Sequence, residues 1–244
     1  MPERLTDSAN LDIQSRLAEV RATIESACAR RGREPEEVTV VAITKGFPSE
    51  VISKACALGL SHIGENRVQE LLDKFGDGRI AQVFPKTRLH LVGHLQSNKV
   101  RKALQWVWSV DSVDSVELAE AISRVATDMD RDVRILLEVN TSGEPQKFGF
   151  SPAEVTGAAG RILRLPRLQL GGLMTVGPLT DESDAVRDSF RSLRACFEEV
   201  RSRLNPPHWN ALSMGVSGDY EIAVEEGATE VRIGTALFGP RRTT

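Results

Sequence analysis

Eight short apolar runs recur along the chain: VTVVAIT (38–44), HIG (62–64), LHLVG (89–93), VWSV (107–110), VRILLEVN (133–140), LQLGGLMT (168–175), WNALS (209–213) and VRIG (231–234). Most are apolar on consecutive positions instead of alternating, as a parallel strand covered on both faces requires. The segments between them carry helical periodicity. In the clearest, Val186, Phe190, Leu193, Phe197, Val200 and Leu204 step by fours and threes into one stripe. Start and stop signals agree. Ser151-Pro152-Ala153-Glu154 has the form of a capping box with proline at the first helical position, and Asn66 with Gln69 and Asp114 with Glu117 repeat the spacing. Gly59, Gly76 and Gly227 stand where helices should stop.

Strands alternating with helices either open into a doubly wound sheet or close into a barrel, and a count of eight predicts closure: an α/β fold of the (β/α)8 TIM type over residues 38–239. A helix over roughly residues 9–31, with Leu17, Val20, Ile24 and Ala27 on one side, is expected to pack outside the barrel, so that residues 1–37 form an N-terminal addition. The 244 residues, 41% hydrophobic and without internal repeat, low-complexity tract or long linker, predict a single domain over 1–244.

Charge narrows the function classes. A net charge of −3, from 31 basic and 34 acidic residues spread along the chain, gives no footprint for nucleic acid or an anionic membrane. MPERLTDSANLDIQSRL lacks an apolar core before a cleavage site, so a cytoplasmic protein is expected, with a monomer as the default. Cys28, Cys56 and Cys196 are odd in number and far apart, which supports neither a disulfide framework nor a metal motif; they read as reduced, mostly buried small groups.

In such barrels the chemistry sits at the carboxyl ends of the strands, with phosphate commonly held by the loops after strands seven and eight. Those loops are Ser213-Met214-Gly215-Val216-Ser217-Gly218-Asp219 and Gly234-Thr235-Ala236-Leu237-Phe238-Gly239, both rich in small residues and backbone N–H groups at a helix start. Together they resemble a divided phosphate cradle; the plainer alternative is a pair of ordinary capped turns. Ser217 does not suit a hydrolase, because Gly-Val-Ser-Gly-Asp lacks the second glycine of a nucleophile elbow. Lys45 ends the first strand at the mouth, where desolvation lowers an ammonium pKa and favours the neutral amine that condenses with aldehydes; the alternative is a salt-bridged rim lysine. Arg232, between Val231 and Ile233, should point into the barrel near Gly234, where a pyridine nitrogen or a buried carboxylate such as Glu138 would accept from it. His90 and His94, four apart in one strand, lack a third ligand at metal spacing, so no metal is expected and both read as hydrogen-bonded histidines near the mouth. Asp111, Asp114 and the turn with Arg161, Arg164 and Arg167 read as caps and solvated faces.

The stretches VVAITKGFP (40–48), HIGENRVQE (62–70), LHLVGHLQSNK (89–99), VNTSGEPQKFGF (139–150), GGLMTVG (171–177), LSMGVSGDYEIAVEEG (212–227) and VRIGTALFG (231–239) are specific, run in order over nearly the whole chain, and resemble the pyridoxal-phosphate homeostasis protein family, relatives of the barrel domain of alanine racemase. The resemblance implies pyridoxal 5′-phosphate as cofactor, a Schiff base on Lys45, contact of Arg232 with the pyridine nitrogen, and a phosphate surrounded by Ser213, Met214, Ser217, Gly218, Gly234 and Thr235. It also implies Asn66, and less directly Met174, beside the ring. Two positions depart from the family: Gly46 stands where many relatives carry a larger residue, which is expected to loosen the loop carrying Phe47, and Val216 replaces a common methionine.

Related racemases take a second acid–base group, a tyrosine, from an additional domain. Here Tyr220 is the single tyrosine, after the phosphate loop. The expected function is therefore a protein that holds pyridoxal phosphate for vitamin B6 homeostasis without efficient catalysis, with apo-enzymes that use the cofactor as possible recipients. The competing reading is a racemase or lyase using Lys45 and His90 or Tyr220; a third is an aldolase-like sugar-phosphate enzyme with Lys45 as imine former.

Overall fold

The computed structural model describes residues 3–240, with side chains from Asp12 onward. Eight strands, β1 (Thr39–Ile43), β2 (His62–Glu65), β3 (Arg88–Leu91), β4 (Ser109–Val113), β5 (Val133–Glu138), β6 (Leu168–Met174), β7 (Ala211–Val216) and β8 (Glu230–Ile233), pair in sequence order, all parallel, and close into a barrel. Closure is made by β1 and β8, with Val40 opposite Val231, Val41 opposite Arg232 and Ala42 opposite Ile233.

Helices α1 (Glu3–Ala29), α2 (Ser49–Ala57), α3 (Val68–Phe75), α4 (Arg79–Val83), α5 (Val100–Leu104), α6 (Val116–Asp128), α7 (Val155–Ile162), α8 (Ser183–Leu204), α9 (Tyr220–Glu225) and α10 (Thr235–Phe238) surround the barrel. The N-terminal helix lies across α9 and α10, outside the barrel, and buries Leu17, Val20, Ile24 and Ala27. Arg30 from its end holds Glu221 and Glu225, while Arg187, Arg191 and Arg194 of α8 converge on the buried Glu226, so α1, α8 and α9 are stapled behind the β7 loop. On α8, Val186, Phe190, Leu193, Phe197 and Val200 are buried, each contributing about 1.5–3 kcal/mol by leaving water. Among the described residues no helix is long and apolar enough to cross a membrane.

All eight predicted strands exist, with shifted ends. The fourth is displaced to Ser109–Val113, and the seventh begins at Ala211, since Trp209 packs on Phe197 and gives its indole N–H to the Phe197 carbonyl instead of entering the sheet. Two predicted caps move by one residue. The residue preceding α3 is Arg67, not Asn66, and α6 is capped by Ser115, whose hydroxyl accepts from the Leu118 N–H, not by Asp114. Before α7, Glu154 reaches back to the Ser151 N–H, but the Ser151 hydroxyl donates to the same carboxylate instead of accepting from the backbone.

The barrel interior departs from the usual filling of branched apolar layers. Leu136, Met174 and Ala211 form a small apolar cluster of their own. Toward the amino ends of the strands lies a buried polar chain: Asp111 Oδ2 bonds His90 Nδ1 at 2.7 Å, His90 Nε2 bonds His62 Nδ1 at 2.9 Å, and Arg134 bonds Glu230 at 2.6 Å. Asp111 and His90 are therefore interior groups, not a solvated cap and a mouth histidine. His94 lies beyond the end of β3, so the two histidines do not share a strand face; its ring bonds Asp114 and stacks on Phe148. Burial opposes ionisation of Asp111, and His90, Arg134 and the Ser109 hydroxyl outweigh it, holding the carboxyl below its usual range. His90, Asp111 and Glu230 converge closely enough to contact one ion, but the Arg134 guanidinium already supplies the positive charge there.

Two predictions follow from this packing. Gly172 has φ +153°, and a Cβ there would meet the Ala211 carbonyl oxygen at 1.8 Å, at the irregularity where the β5–β6 register shifts. Gly172→Ala should cost on the order of 3 kcal/mol or more in urea unfolding; a loss below ~1 kcal/mol would contradict this close approach. Burial and the neighbouring His90, Arg88 and Arg134 push the His62 pKa down to about 3, against 6.5 for an exposed histidine. Between those values the unfolded chain binds a proton that the folded one refuses, so this residue's stability contribution is complete above pH 6.5 and drains away as pH falls toward 3. The stability gap between the native chain and His62→Asn should therefore narrow from pH 7 to pH 5, and a gap independent of pH would count against it.

Candidate functional site

A cavity of about 410 Å³ opens at the carboxyl ends of the strands, lined by Ile43, Lys45, Phe47, Asn66, Val92, Val176, Val216, Ser217, Gly218, Arg232, Gly234 and Thr235. Its position follows from barrel closure. The pairing of β1 with β8 sets Lys45, two residues past β1, beside Gly234 and Thr235, which follow β8.

The two terminal loops form one structure. Ser217 Oγ accepts from the Gly234 N–H at 3.1 Å and from the Ala236 N–H at 3.2 Å, tying the loop after β7 to the start of α10. Asp219 Oδ1 accepts from the Val216 N–H at 2.6 Å and closes the turn. Burial raises the Asp219 pKa, against the opposing pull of that N–H and of Arg232. The Gly234, Ala236 and Val216 N–H groups are thus engaged within the loops, and the lining they leave at the cavity is small and polar, with the hydroxyl-bearing Ser217 and Thr235 beside Gly218 and Gly234, which suits an anion.

Val231 and Ile233 pack outward into the main core, which leaves the Arg232 side chain facing inward. Its guanidinium donates to Ser213 Oγ at 2.8 Å and to the Thr175 carbonyl at 2.6 Å. Among the described residues no carboxylate lies within ion-pair distance, so the alternative of a direct pair with Glu138 is not realised. Burial lowers the Arg232 pKa, and the fields of Asp111, Asp219, Glu138 and Glu230 partly restore it. Burial pushes the Glu138 carboxyl up to about 7, helped by Asp114 and opposed by Arg232 and His94.

Of the residues expected at a site, the fold brings seven to one cavity: Lys45, Asn66, Ser217, Gly218, Arg232, Gly234 and Thr235. Three do not line it. Ser213 sits beneath as the acceptor of Arg232, Met174 belongs to the barrel's inner apolar cluster, and the Met214 side chain is in the outer core against the helices, because alternation along β7 turns Ser213 inward and Met214 outward. The competing second groups are elsewhere too: His90 is in the polar chain toward the amino ends, and Tyr220 packs against the outer core. Unanticipated are the apolar walls, Ile43, Phe47, Val92, Val176 and Val216. Gly46 sits in a turn that is held on both sides. It has φ +76°, which glycine adopts without strain, the Glu70 carboxylate accepts its N–H, and Phe47 closes the turn onto the Thr44 carbonyl and packs on Phe238.

Comparison with known proteins gives a consistent result. The family described as "Alanine racemase, N-terminal domain" matches residues 16–242. The pyridoxal phosphate homeostasis protein of Aquifex aeolicus is 38% identical over 229 residues, covering 93% of this chain and 97% of that one. The structure of PipY from Synechococcus elongatus with pyridoxal phosphate bound superposes with a TM-score of 0.81 at 35% identity, covering 93% of this chain and all of that one. An alanine racemase of Clostridium difficile shares the fold at 15% identity, TM-score 0.70, with this chain spanning 56% of its length. With a family model matching nearly its full length and relatives at 35–38% identity over more than nine-tenths of it, the chain belongs to the pyridoxal phosphate homeostasis proteins within the alanine racemase N-terminal domain family.

Proposed function

We propose that this protein binds pyridoxal 5′-phosphate in the cavity, linked to Lys45 as a Schiff base, and holds it for cofactor homeostasis without efficient turnover. The observation that carries the reading is the placement of one amine and one two-loop anion cradle on the wall of a single cavity of about 410 Å³, with a buried arginine between polar acceptors lining the same space. The residues fit the group: its phosphate matches the small, polar lining of Ser217, Gly218, Gly234 and Thr235, its ring nitrogen matches a donor that is permanently protonated, and its ring matches the walls of Ile43, Val92 and Val216.

When bound, pyridoxal phosphate supplies an aldehyde to an amine and an electron-accepting ring to whatever is attached there. Lys45, on the cavity wall, would be the residue that holds the group through that aldehyde. Arg232, held by Ser213 and the Thr175 carbonyl, would donate to the ring nitrogen and keep a proton off it, which would weaken the ring as an electron sink. Neither His90 nor Tyr220 lines the cavity, which supports a carrier over a racemase or lyase. The aldolase-like alternative shares Lys45 as imine former, and a protein that is colourless and takes up no pyridoxal phosphate would favour it. The same reading has a cytoplasmic monomer passing the cofactor to apo-enzymes that use it.

Purified protein mixed with pyridoxal phosphate should develop an imine absorption band that borohydride fixes as a stable adduct on Lys45, and Lys45→Ala should show neither; a colourless protein, or an adduct mapped to another lysine, would refute the linkage. The loaded protein should not exchange the Cα hydrogen of alanine or serine with deuterium from solvent at enzyme-like rates. Exchange at about 1 per second or faster, lost in Lys45→Ala, would make it an enzyme.

A further inference from the structure

Behind the cavity wall, on the side of Lys45 away from the two phosphate-type loops, lies a polar cluster that the proposed binding reaction does not use. Lys74, on the last turn of α3, is nearly buried, with 9% of its side chain exposed. Its Nζ makes three hydrogen bonds at 2.7 Å: to Glu65 Oε1, to Glu70 Oε1 and to the backbone carbonyl of Thr44. Three acceptors satisfy all three ammonium donors. Thr44 is the residue immediately before Lys45, and its hydroxyl also donates to Glu65 Oε1 at 2.6 Å. Glu70 completes the arrangement on the far side, accepting the backbone N–H of Gly46, the residue immediately after Lys45.

One ammonium and two carboxylates therefore hold the chain on either side of Lys45. The charges explain why the cluster persists. Burial works against ionised Glu70, and Lys74 with the Gly46 N–H outweighs it, so its pKa falls; burial dominates at Glu65, whose pKa rises despite Lys74 and Thr44. Glu65 Oε2 has no hydrogen-bond partner among the described residues. A carboxylate at such a position is costly unless its other oxygen is well held, and here Lys74 and Thr44 both hold it. Gly46, at φ +76°, makes the turn between the two anchored peptides.

We infer that Lys74 and Glu70 are positioning residues for Lys45: they fix the two backbone segments flanking it so that its amine stands at the cavity wall at the distance set by the loops after β7 and β8. This inference rests on the proposed Schiff-base linkage. Its signature is a split between two ligands. Pyridoxine 5′-phosphate carries the same ring and phosphate with an alcohol where the aldehyde would be, so its binding depends on the cradle and Arg232 and not on where the Lys45 amine stands. Pyridoxal phosphate depends on both.

The experiment compares native protein, Glu70→Ala, Glu70→Gln and Lys74→Met. For each variant, dissociation constants for pyridoxine 5′-phosphate and the yield and rate of borohydride-trapped adduct with pyridoxal phosphate are measured, after circular dichroism shows a folded barrel. Glu70→Ala should bind pyridoxine 5′-phosphate within twofold of native and trap pyridoxal phosphate at least tenfold more slowly. Glu70→Gln keeps an oxygen for the Gly46 N–H and should recover most of that rate. Lys74→Met should show the same split as Glu70→Ala or a larger one; if it fails to fold, the two Glu70 variants decide. Equal trapping in native protein and Glu70→Ala, or parallel losses for both ligands, would overturn the positioning role. Absence of any trapped adduct in the native protein would instead overturn the Schiff-base reading on which it rests.

Discussion

The pairing of β1 with β8 is the constraint on which the site depends. A parallel sheet of eight strands has two edges until it closes, and only closure brings the end of the first strand beside the end of the last. In the register observed, Val41 faces Arg232 and Ala42 faces Ile233, so Lys45 and the Gly234–Thr235 turn, at opposite ends of the sequence, border one cavity. Ser217 then joins the seventh loop to the eighth through the N–H groups of Gly234 and Ala236. An amine, a small polar cradle and a buried guanidinium thus converge from segments of chain nearly two hundred residues apart.

The interior of the barrel is arranged around charge. Among the described residues Arg232 is buried without a carboxylate in direct contact, a state that costs free energy unless its hydrogen bonds are satisfied and surrounding fields compensate. Ser213 and the Thr175 carbonyl do the first, and Asp111, Asp219, Glu138 and Glu230 the second. Below a thin apolar layer of Leu136, Met174 and Ala211, the Asp111–His90–His62 chain and the Arg134–Glu230 pair fill the amino end. The barrel thus keeps a cation toward the cavity and a nearly self-compensated polar network at the other end.

Much of this was legible from the sequence, for identifiable reasons. Strands buried on both faces announce themselves as unbroken apolar runs, and the alternation Val231, Arg232, Ile233 was enough to aim the arginine inward. The same alternation along β7 turns Met214 outward, although the stretch that contains it resembles a phosphate loop. The bond between His90 and Asp111 and the one between His90 and His62 span 21 and 28 residues, and hydrogen bonds of that span leave no periodic trace in a sequence. Glu70 and Lys74 look like an ordinary i,i+4 surface pair until the fold shows Thr44 and Gly46 between them. Where the sequence offered a resemblance, the strand order and cavity then supplied the geometry that the resemblance alone does not.

The central claim is that a single pyridoxal phosphate spans the distance from the Lys45 amine to the anion cradle of the last two loops. A crystal structure of the protein with pyridoxal phosphate tests it most directly. The account predicts electron density continuous from Lys45 Nζ to the cofactor, with the phosphate against Ser217, Gly218, Gly234 and Thr235 and the ring nitrogen facing Arg232. Cofactor density seated elsewhere, or a phosphate turned away from those loops while Lys45 stands apart, would contradict it.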